Sequence, residues 1–201
     1  MEYEIHVDIS LARRYLFYRG NPAKEASFGL EEAAKLVEKH SAPRIALREF
    51  ELRRENGLGL IGTPLELRGH NIANLLRACE RCVLFCATIG LEVDKLIRHW
   101  QHKDMAFAAM FDACASAAVE NLCGHLEREL CEKYSAYGLS LTKRFSPGFG
   151  DFPLSIQRDF CTVLDTARRI GVFVNESFMM TPQKSVTAII GLSSVNLKRK
   201  E

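Results

Sequence analysis

The chain has 201 residues, with 27 Lys and Arg against 25 Asp and Glu, so its formal net charge at pH 7 is only +2. Hydrophobic residues make up 47% of the sequence and charged residues 26%, which excludes a disordered or collagen-like chain and is typical of a soluble globular protein. The small basic excess also argues against nucleic acid as a partner, because a protein that neutralises many phosphates needs a strongly basic surface.

The first half of the chain is predicted to alternate between helices and strands. Apolar spacing indicates, in order, a helix or strand within 5–19, a helix over 30–40, two strands within 44–67, a helix over 70–79 and a buried strand over 82–89. Two turn signals lie between these segments. Arg19-Gly20-Asn21-Pro22 ends the first segment, and Asn56-Gly57 predicts a hairpin between the two strands.

The second half is predicted to contain helices, one irregular loop and two further strands. The elements are a helix over 91–100, a long Ala-rich helix from the N-cap Asp104 to about Tyr134, an ordered loop over 143–153, a helix from there to about Ile170, strands within 172–178 and 186–191 separated by a Met-Met-Thr-Pro turn, and a frayed tail over 198–201. This irregular alternation favours an α+β class over a doubly wound sheet, in a single domain spanning residues 1–197. No dinucleotide-binding, P-loop or nucleophile-elbow motif occurs in the sequence.

Nothing in the sequence predicts export or a membrane span. The N-terminal residues lack the basic and then apolar regions of a secretory signal. The most apolar stretch, residues 105–119, contains Asp112 and is shorter than the roughly 20 residues that cross a bilayer. Seven cysteines, an odd number, are typical of reduced thiols. We therefore expect a cytoplasmic protein.

Three of the cysteines have a spacing that suggests a metal site. Cys79, Cys82 and Cys86 form a C-x2-C-x3-C pattern, which can bring three thiolates together. The surrounding residues are apolar and include none of the Gly, Pro or His that usually build a tight metal loop. We therefore interpret these cysteines as buried structural thiols and predict no protein-bound metal.

The long helix carries a row of polar residues on an otherwise apolar surface. Asp112, Ser116 and Glu120 are spaced by four, so they share one face of the helix. A buried polar group is costly unless it finds a partner or a ligand, which makes the row a candidate binding site. The alternative is that Asp112 and Glu120 pair with arginines or cap local backbone.

The loop that follows is the second candidate site. Arg144 supplies a cation, Gly148 leaves the backbone without a side chain, and Phe149 offers an aromatic surface. That combination suits a small ligand with a carboxylate at one end and a flat ring at the other, such as an amino-acid nucleoside. The alternative is a structural Pro-Gly turn beside a surface arginine.

Two motifs in this part of the chain resemble one protein family. Arg144-Phe-Ser-Pro-Gly-Phe149 resembles the R-x-x-P-G-Y motif of the S-adenosylmethionine-binding activation domain of cobalamin-dependent methionine synthase. Residues 170–187 are similar to a second motif of that domain, I-G-x-x-x-T-E-S-x-x-M-x-P-x-x-S-V-S, in the same order and with a helix between the two. The resemblance covers about residues 70–192, and little before residue 60 aligns.

The resemblance implies a bent, mainly antiparallel sheet flanked by helices, with S-adenosylmethionine in a groove along the loop. In the family this domain docks over cobalamin held by another module, where cob(II)alamin takes one electron and then a methyl group. The chain would then be a stand-alone activation subunit of a methionine synthase (methyltransferase) system, with no turnover alone. Its partners would be a cobalamin-binding methionine synthase core, or another corrinoid protein, and an external electron donor. The D-x-H-x-x-G motif that supplies a cobalt-ligating histidine is absent from the sequence.

The resemblance also assigns roles to individual residues. The predicted ligand-binding residues are Arg144, Ser146, Pro147, Gly148, Phe149, Ser116 and Glu120. Arg144 would hold the carboxylate, Glu120 with Ser116 would meet the amino group or ribose, and the Gly-Phe pair would lie against the adenosine. No protein side chain is predicted to be catalytic, because a sulfonium methyl group is already activated.

The chain departs from the family pattern at two positions. Phe149 replaces the motif tyrosine, which keeps the ring and loses the hydroxyl, and Asn175 replaces the threonine of the second motif. These departures support a second hypothesis, an S-adenosylmethionine-binding or regulatory protein of the same fold without a methyl-transfer role.

Overall fold

The computed structural model describes residues 3–16, 24–55 and 57–195, without the side chains of residues 24–28. The chain divides into two compact units, each built from three segments. The first unit comprises Met1–Arg44, Ala87–His125 and Met180–Ser185, and the second comprises Ile45–Cys86, Leu126–Met179 and Val186–Glu201. The predicted turn over 19–22, Asn56 of the predicted hairpin and the predicted tail over 198–201 lie outside the described residues. A single domain over residues 1–197 stays a prediction.

Helices and one main sheet form the described part of the chain. The helices are α1 (Ile9–Tyr15), α2 (Lys24–His40), α3 (His70–Leu75), α4 (Leu91–Lys103), α5 (Met105–Ser135), α6 (Ile156–Leu164) and α7 (Thr166–Ile170). The strands are β1 (Arg44–Arg53), β2 (Gly59–Leu60), β3 (Arg81–Thr88), β4 (Ser140–Leu141), β5 (Phe173–Val174), β6 (Met180–Thr181) and β7 (Ser185–Ser193). Five strands form one sheet in the order β2-β1-β3-β7-β4, and β5 pairs with β6. The predicted α+β class is confirmed.

The core of the first unit is built by helices. Leu30 and Val37 of α2, Val93 and Ile97 of α4 and Phe111 of α5 are each at most 5% exposed. The spacing of seven residues in α2 and of four in α4 places each pair on one face of its helix, as the sequence pattern predicts. Burying each such side chain contributes about 1.5–3 kcal/mol relative to leaving it in water.

The long helix α5 begins where the sequence predicts. The carboxylate of Asp104 accepts a hydrogen bond from the backbone N–H of Phe107 at 3.0 Å, which satisfies one of the donors left free at a helix start. By length and composition alone α5 could cross a membrane, since its most apolar 18-residue window has a mean hydropathy of 1.2. Because 61% of that window is buried inside the structure, α5 has the burial expected of a core helix.

The second unit contains most of the main sheet, with β3 at its centre. All side chains of β3 from Cys82 to Thr88 are buried, which accounts for the unbroken apolar run in the sequence. β1 and β2 pair antiparallel with Leu52 opposite Leu60, and β4 pairs antiparallel with β7. The predicted hairpin after β1 is therefore confirmed, although its second strand has only two residues.

The prediction of one continuous helix from the loop to Ile170 is wrong, because the structure has two helices there. Asp165 has a left-handed backbone, with φ 50° and ψ 47°, and separates α6 from α7. Asp tolerates this conformation better than most residues, because its short polar side chain can hydrogen-bond locally. Gly171, also left-handed with φ 70°, ends α7 as predicted.

The turn expected at Met-Met-Thr-Pro is also misplaced. The chain turns earlier, at Asn175, whose backbone N–H donates to the carbonyl of Met179 at 3.0 Å. Met180 and Thr181 therefore form β6, paired with β5. The side-chain oxygen of Asn175 accepts the N–H of Met179 at 2.9 Å, so the residue that replaces the motif threonine stabilises this turn.

Candidate ligand-binding site

The predicted binding loop, residues 143–153, is attached to the sheet of the second unit at its start. Phe145 and Ile189 of β7 exchange two backbone hydrogen bonds, each 2.9 Å long. The preceding residue, Arg144, is therefore placed at the end of a bridge to the sheet. The sequence prediction of an ordered loop is confirmed.

A row of aromatic rings holds the loop from beneath. Phe152 is 1% exposed, and its ring centroid lies 5.9 Å from that of Phe145 and 6.0 Å from that of Phe160 on α6. Tilted and edge-on contacts at these distances add to the gain from burial. Pro147 is buried as well, whereas Phe149 at the tip is 66% exposed. The loop thus presents one ring to solvent on a packed base.

The glycine at position 148 is required by the backbone. Gly148 has φ 90°, a backbone conformation that residues with a side chain rarely adopt. Its N–H donates to the carbonyl of Phe152 at 2.8 Å. A Cβ at this position would lie 3.3 Å from Cδ1 of Leu154. The backbone beside Phe149 is consequently free of side chain, as the sequence predicts.

Asp151 joins the end of the loop to helix α3. Its carboxylate accepts the backbone N–H groups of His70 at 2.5 Å and Asn71 at 3.0 Å, and so caps a helix that is 80 residues away in sequence. These hydrogen bonds hold the pKa of Asp151 below its usual range, because they favour the charged carboxylate. This cap is a second attachment of the loop, and no local sequence pattern predicts it.

The cation of the predicted site has an acidic neighbour. Nε of Arg144 lies 3.2 Å from Oε1 of Glu127 on α5, and the two side chains are 25% and 30% exposed. Both belong to the second unit. The site therefore presents a positive and a negative group side by side, of which the sequence motif predicts only the positive one.

The polar row of α5 is matched by a lysine within the first unit. Nζ of Lys184 lies 2.8 Å from Oδ1 of Asp112 and 2.9 Å from Oγ of Ser116, which in turn donates to the carbonyl of Asp112 at 3.0 Å. The Lys184 side chain is only 12% exposed. Asp112 and Ser116 of this row therefore have a cationic partner. This agrees with the alternative that the row is structural, although the partner is a lysine and not an arginine. Glu120 is partly buried further along the same helix.

The second motif of the resemblance packs against α6. Oγ1 of Thr187 on β7 lies 3.2 Å from Oε1 of Gln157, whose Nε2 donates to the carbonyl of Phe178 at 2.5 Å. Gln157 is buried, so these contacts satisfy a polar side chain that would otherwise be costly. The motif residues therefore fix the position of the turn after β5.

The cysteines of the C-x2-C-x3-C pattern are packed as apolar residues. Cys79, Cys82 and Cys86 are each at most 3% exposed. Burial raises the pKa of the Cys79 thiol to about 11 and that of Cys82 to about 12. Within the part of the chain that the structure describes, no group of three or more His, Cys, Asp or Glu side chains is placed to hold a metal ion.

The predicted site residues fall into two sets, one in each unit. Arg144, Ser146, Pro147, Gly148 and Phe149 share the loop of the second unit. The other set, Ser116 and Glu120, lies one turn apart on the α5 face of the first unit.

The fold and the loop define an α+β protein whose main antiparallel sheet carries, at its edge, a loop that exposes one aromatic ring. No family model and no curated protein matches the sequence. Among solved structures, the chain is similar to a crystal structure of the MetH reactivation domain bound to AdoHcy, with a TM-score of 0.66 and 16% sequence identity. The match covers 98% of this chain and 82% of that one, so the fold of this chain is that of the reactivation domain.

Proposed function

We propose that the chain binds S-adenosylmethionine through the loop that carries Arg144 and Phe149. The observation that supports this most is the shared fold, over 98% of the chain, with a domain whose structure contains AdoHcy, the demethylated form of the same ligand. The loop motif on which the sequence resemblance depends is ordered, and two attachments hold it in place.

The charged pair fits the amino-acid end of this ligand. An α-amino acid carries a carboxylate and an ammonium group on neighbouring atoms, and Arg144 and Glu127 place opposite charges 3.2 Å apart. Arg144 pairs with the carboxylate through charge-assisted hydrogen bonds, and Glu127 accepts from the ammonium group. Glu127 thereby takes part of the role that the sequence analysis gave to Glu120, whose participation with Ser116 stays a prediction.

The adenosine end fits the tip of the loop. The Phe149 ring is 66% exposed and offers a flat apolar surface to a purine. Gly148 leaves the neighbouring backbone open, and the partly buried Ser146 supplies a hydroxyl close by. Stacking on Phe149 does not need the hydroxyl of the tyrosine that it replaces.

Calorimetric titration with two ligands tests the binding proposal. Arg144→Ala should weaken the affinity for S-adenosylmethionine about ten- to a hundredfold, since a charge-assisted contact contributes about 1.5–3 kcal/mol. It should leave 5′-methylthioadenosine unaffected, because that ligand lacks the amino-acid end. Arg168→Ala is the matched control, because Arg168 also pairs with a carboxylate in the same unit but is 87% exposed.

Two results would contradict the binding proposal. The first is an absence of any signal with wild-type protein at millimolar S-adenosylmethionine. The second is an equal loss of affinity for the full and the truncated ligand in Arg144→Ala, which would mean that the substitution distorts the loop.

We further propose that the bound methyl donor serves reductive methylation of cob(II)alamin on a corrinoid protein, with one electron from an external donor. The chain's own contribution is to hold the sulfonium methyl in place, which requires no general base. Mixing the chain with a cob(II)alamin-bearing methionine synthase core, reductant and S-adenosylmethionine should give the absorption spectrum of methylcobalamin.

The second candidate function is ligand binding without methyl transfer, and Phe149 favours it through the missing hydroxyl. Binding of S-adenosylmethionine combined with an unchanged cob(II)alamin spectrum would support this alternative. Phe149→Tyr then provides a direct comparison, because gain of conversion in that variant would assign the difference to the hydroxyl.

A further inference from the structure

The first turn of helix α3 lies against the loop that carries Phe149. The carboxylate of Asp151 accepts the backbone N–H groups of His70 and Asn71, and its Oδ1 lies 3.0 Å from the nitrogen of Asn71. A glycine allows the two segments to come this close. A Cβ at Gly69 would lie 2.9 Å from the carbonyl oxygen of Asp151, which is closer than real Cβ atoms approach. The position of α3 is therefore fixed relative to the end of the loop.

The side chain of Asn71 lies beside the loop residue that follows Phe149. A Cβ at Gly150 would collide with Nδ2 of Asn71 and would lie 3.3 Å from its Cγ. The amide therefore occupies the space that a side chain at position 150 would fill. Since consecutive Cα atoms are only about 3.8 Å apart, Asn71 and Phe149 are neighbours on the surface of the second unit.

The amide of Asn71 is available to a ligand. The residue is exposed, and its side chain makes no hydrogen bond to any other residue that the structure describes. An amide offers a carbonyl oxygen, which accepts, and an NH₂ group, which donates, in one plane. Because the Asp151 cap already holds the backbone of Asn71, only side-chain torsions have to be fixed when a ligand binds.

We propose that Asn71 recognises the adenine base of the ligand, an inference that rests on the proposed binding of S-adenosylmethionine at this loop. One edge of adenine carries an amino group, which donates, next to a ring nitrogen, which accepts, and an asparagine amide pairs with both at once. The carbonyl oxygen of Asn71 accepts from the amino group, and its NH₂ group donates to the ring nitrogen.

The two residues then have different roles toward the base. Phe149 contacts its face, and stacking tolerates any base because every base has a π face. Asn71 contacts its edge, where the purines differ in their donors and acceptors. Asn71 is therefore the specificity-determining residue of the pair.

Two nucleosides that differ only in the base test this assignment. The probes are 5′-methylthioadenosine and 5′-methylthioinosine, in which a carbonyl oxygen replaces the amino group of the base. A bidentate amide pair discriminates against the wrong base by at least about fivefold. Calorimetric titration of the wild-type chain should therefore show at least about fivefold tighter binding of the adenine nucleoside.

Variants assign this preference to the amide. Asn71→Ala should bind both nucleosides with nearly equal affinity, because it loses affinity for the adenine nucleoside. Gly150→Ala should also reduce the preference, because its Cβ displaces the amide. Asn74→Ala is the matched control, because Asn74 is also an exposed asparagine of α3, and this variant should keep the wild-type preference. Equal urea midpoints of the two asparagine variants would exclude unfolding as the cause.

Two outcomes would overturn the inference and leave the binding proposal standing. The first is equal affinity of the wild-type chain for the two nucleosides, a comparison that needs no variant. The second is a preference for 5′-methylthioadenosine that Asn71→Ala retains in full. Failure of the proposed function itself looks different, because the wild-type chain would then bind neither S-adenosylmethionine nor 5′-methylthioadenosine, and that result would remove both proposals.

Discussion

Phe149 and Phe152 lie three residues apart in one loop, yet the same substitution should act differently on them. Phe152 is 1% exposed and contacts two other rings, whereas Phe149 is 66% exposed. Replacing a fully buried Phe by Ala costs about 3–5 kcal/mol, through lost burial and the cavity that remains. We therefore expect Phe152→Ala to lower the free energy of unfolding by about 4 kcal/mol, and Phe149→Ala by less than about 0.5 kcal/mol.

Urea unfolding followed by two signals measures this difference. Far-UV circular dichroism reports on the whole chain, while fluorescence of Trp100, the single tryptophan, reports on α4 and the first unit. Phe152→Ala should shift the circular dichroism transition to lower urea concentration. Phe152→Leu, which keeps most of the buried volume, should cost about 1 kcal/mol and serves if the alanine variant does not fold.

Ligand titration completes the comparison, because it should reverse the order of the two positions. Phe149→Ala should weaken S-adenosylmethionine binding about two- to tenfold, since one aromatic contact contributes about 0.5–1.5 kcal/mol. Phe152→Leu should change the affinity less. Equal losses of unfolding free energy for the two alanine variants would refute the assignment of Phe152 as the base of the loop and Phe149 as its ligand-facing tip.

Three further predictions concern the cap, the lysine and the loop glycine. The pKa of Asp151 is lowered, so the stabilisation by its carboxylate is present at neutral pH and is lost as the pH falls through that lowered pKa, below about pH 4. Asp151→Asn should therefore lower the urea midpoint at pH 7, and the midpoints of variant and wild type should converge at low pH. A difference in midpoint that stays constant with pH would contradict this. Lys184→Met should lower the free energy of unfolding, followed by Trp100 fluorescence, by about 1–2 kcal/mol. The control is Lys95→Met, because Lys95 pairs with Glu92 on the same unit's helix α4 but is 57% exposed, and this variant should cost less than about 0.5 kcal/mol. Equal costs would contradict the role of Lys184. Gly148→Ala and Gly138→Ala should each lower the free energy of unfolding by about 1–2 kcal/mol, because both glycines have positive φ. Only Gly148→Ala should also weaken ligand binding. Equal ligand affinities of the two variants would exclude the loop from the site.

The sequence predicts those elements whose cause is local. The unbroken apolar run from Cys82 to Ile89 predicts a strand buried on both faces, and β3 is the central strand of the sheet. Asp104 followed by an Ala-rich segment predicts the start of α5, because capping involves neighbours within one turn. The loop is predicted for a similar reason, since proline fixes its own φ and glycine permits positive φ at its own position.

Contacts between distant residues could not be predicted in the same way. Nothing in the sequence distinguishes Glu127 from the other acidic residues of α5 as the neighbour of Arg144. The Asp151 cap and the Lys184 pair join residues 80 and 72 positions apart, so only the folded chain brings them together. The break at Asp165 was missed because the apolar periodicity continues through it, while one left-handed residue suffices to end a helix.

The division of the chain into two units limits how the protein can be truncated. Each unit draws on three segments, and these alternate along the sequence. Any single cut between Arg44 and Val186 therefore separates parts of at least one unit. A continuous fragment that contains both Asp112 and Lys184 also contains the second-unit segment that ends at Met179. Folding must close long loops before either core is complete, which slows it relative to a helical bundle of equal size. Point substitutions, which leave every segment in place, are thus a better tool than truncation for asking what each unit does.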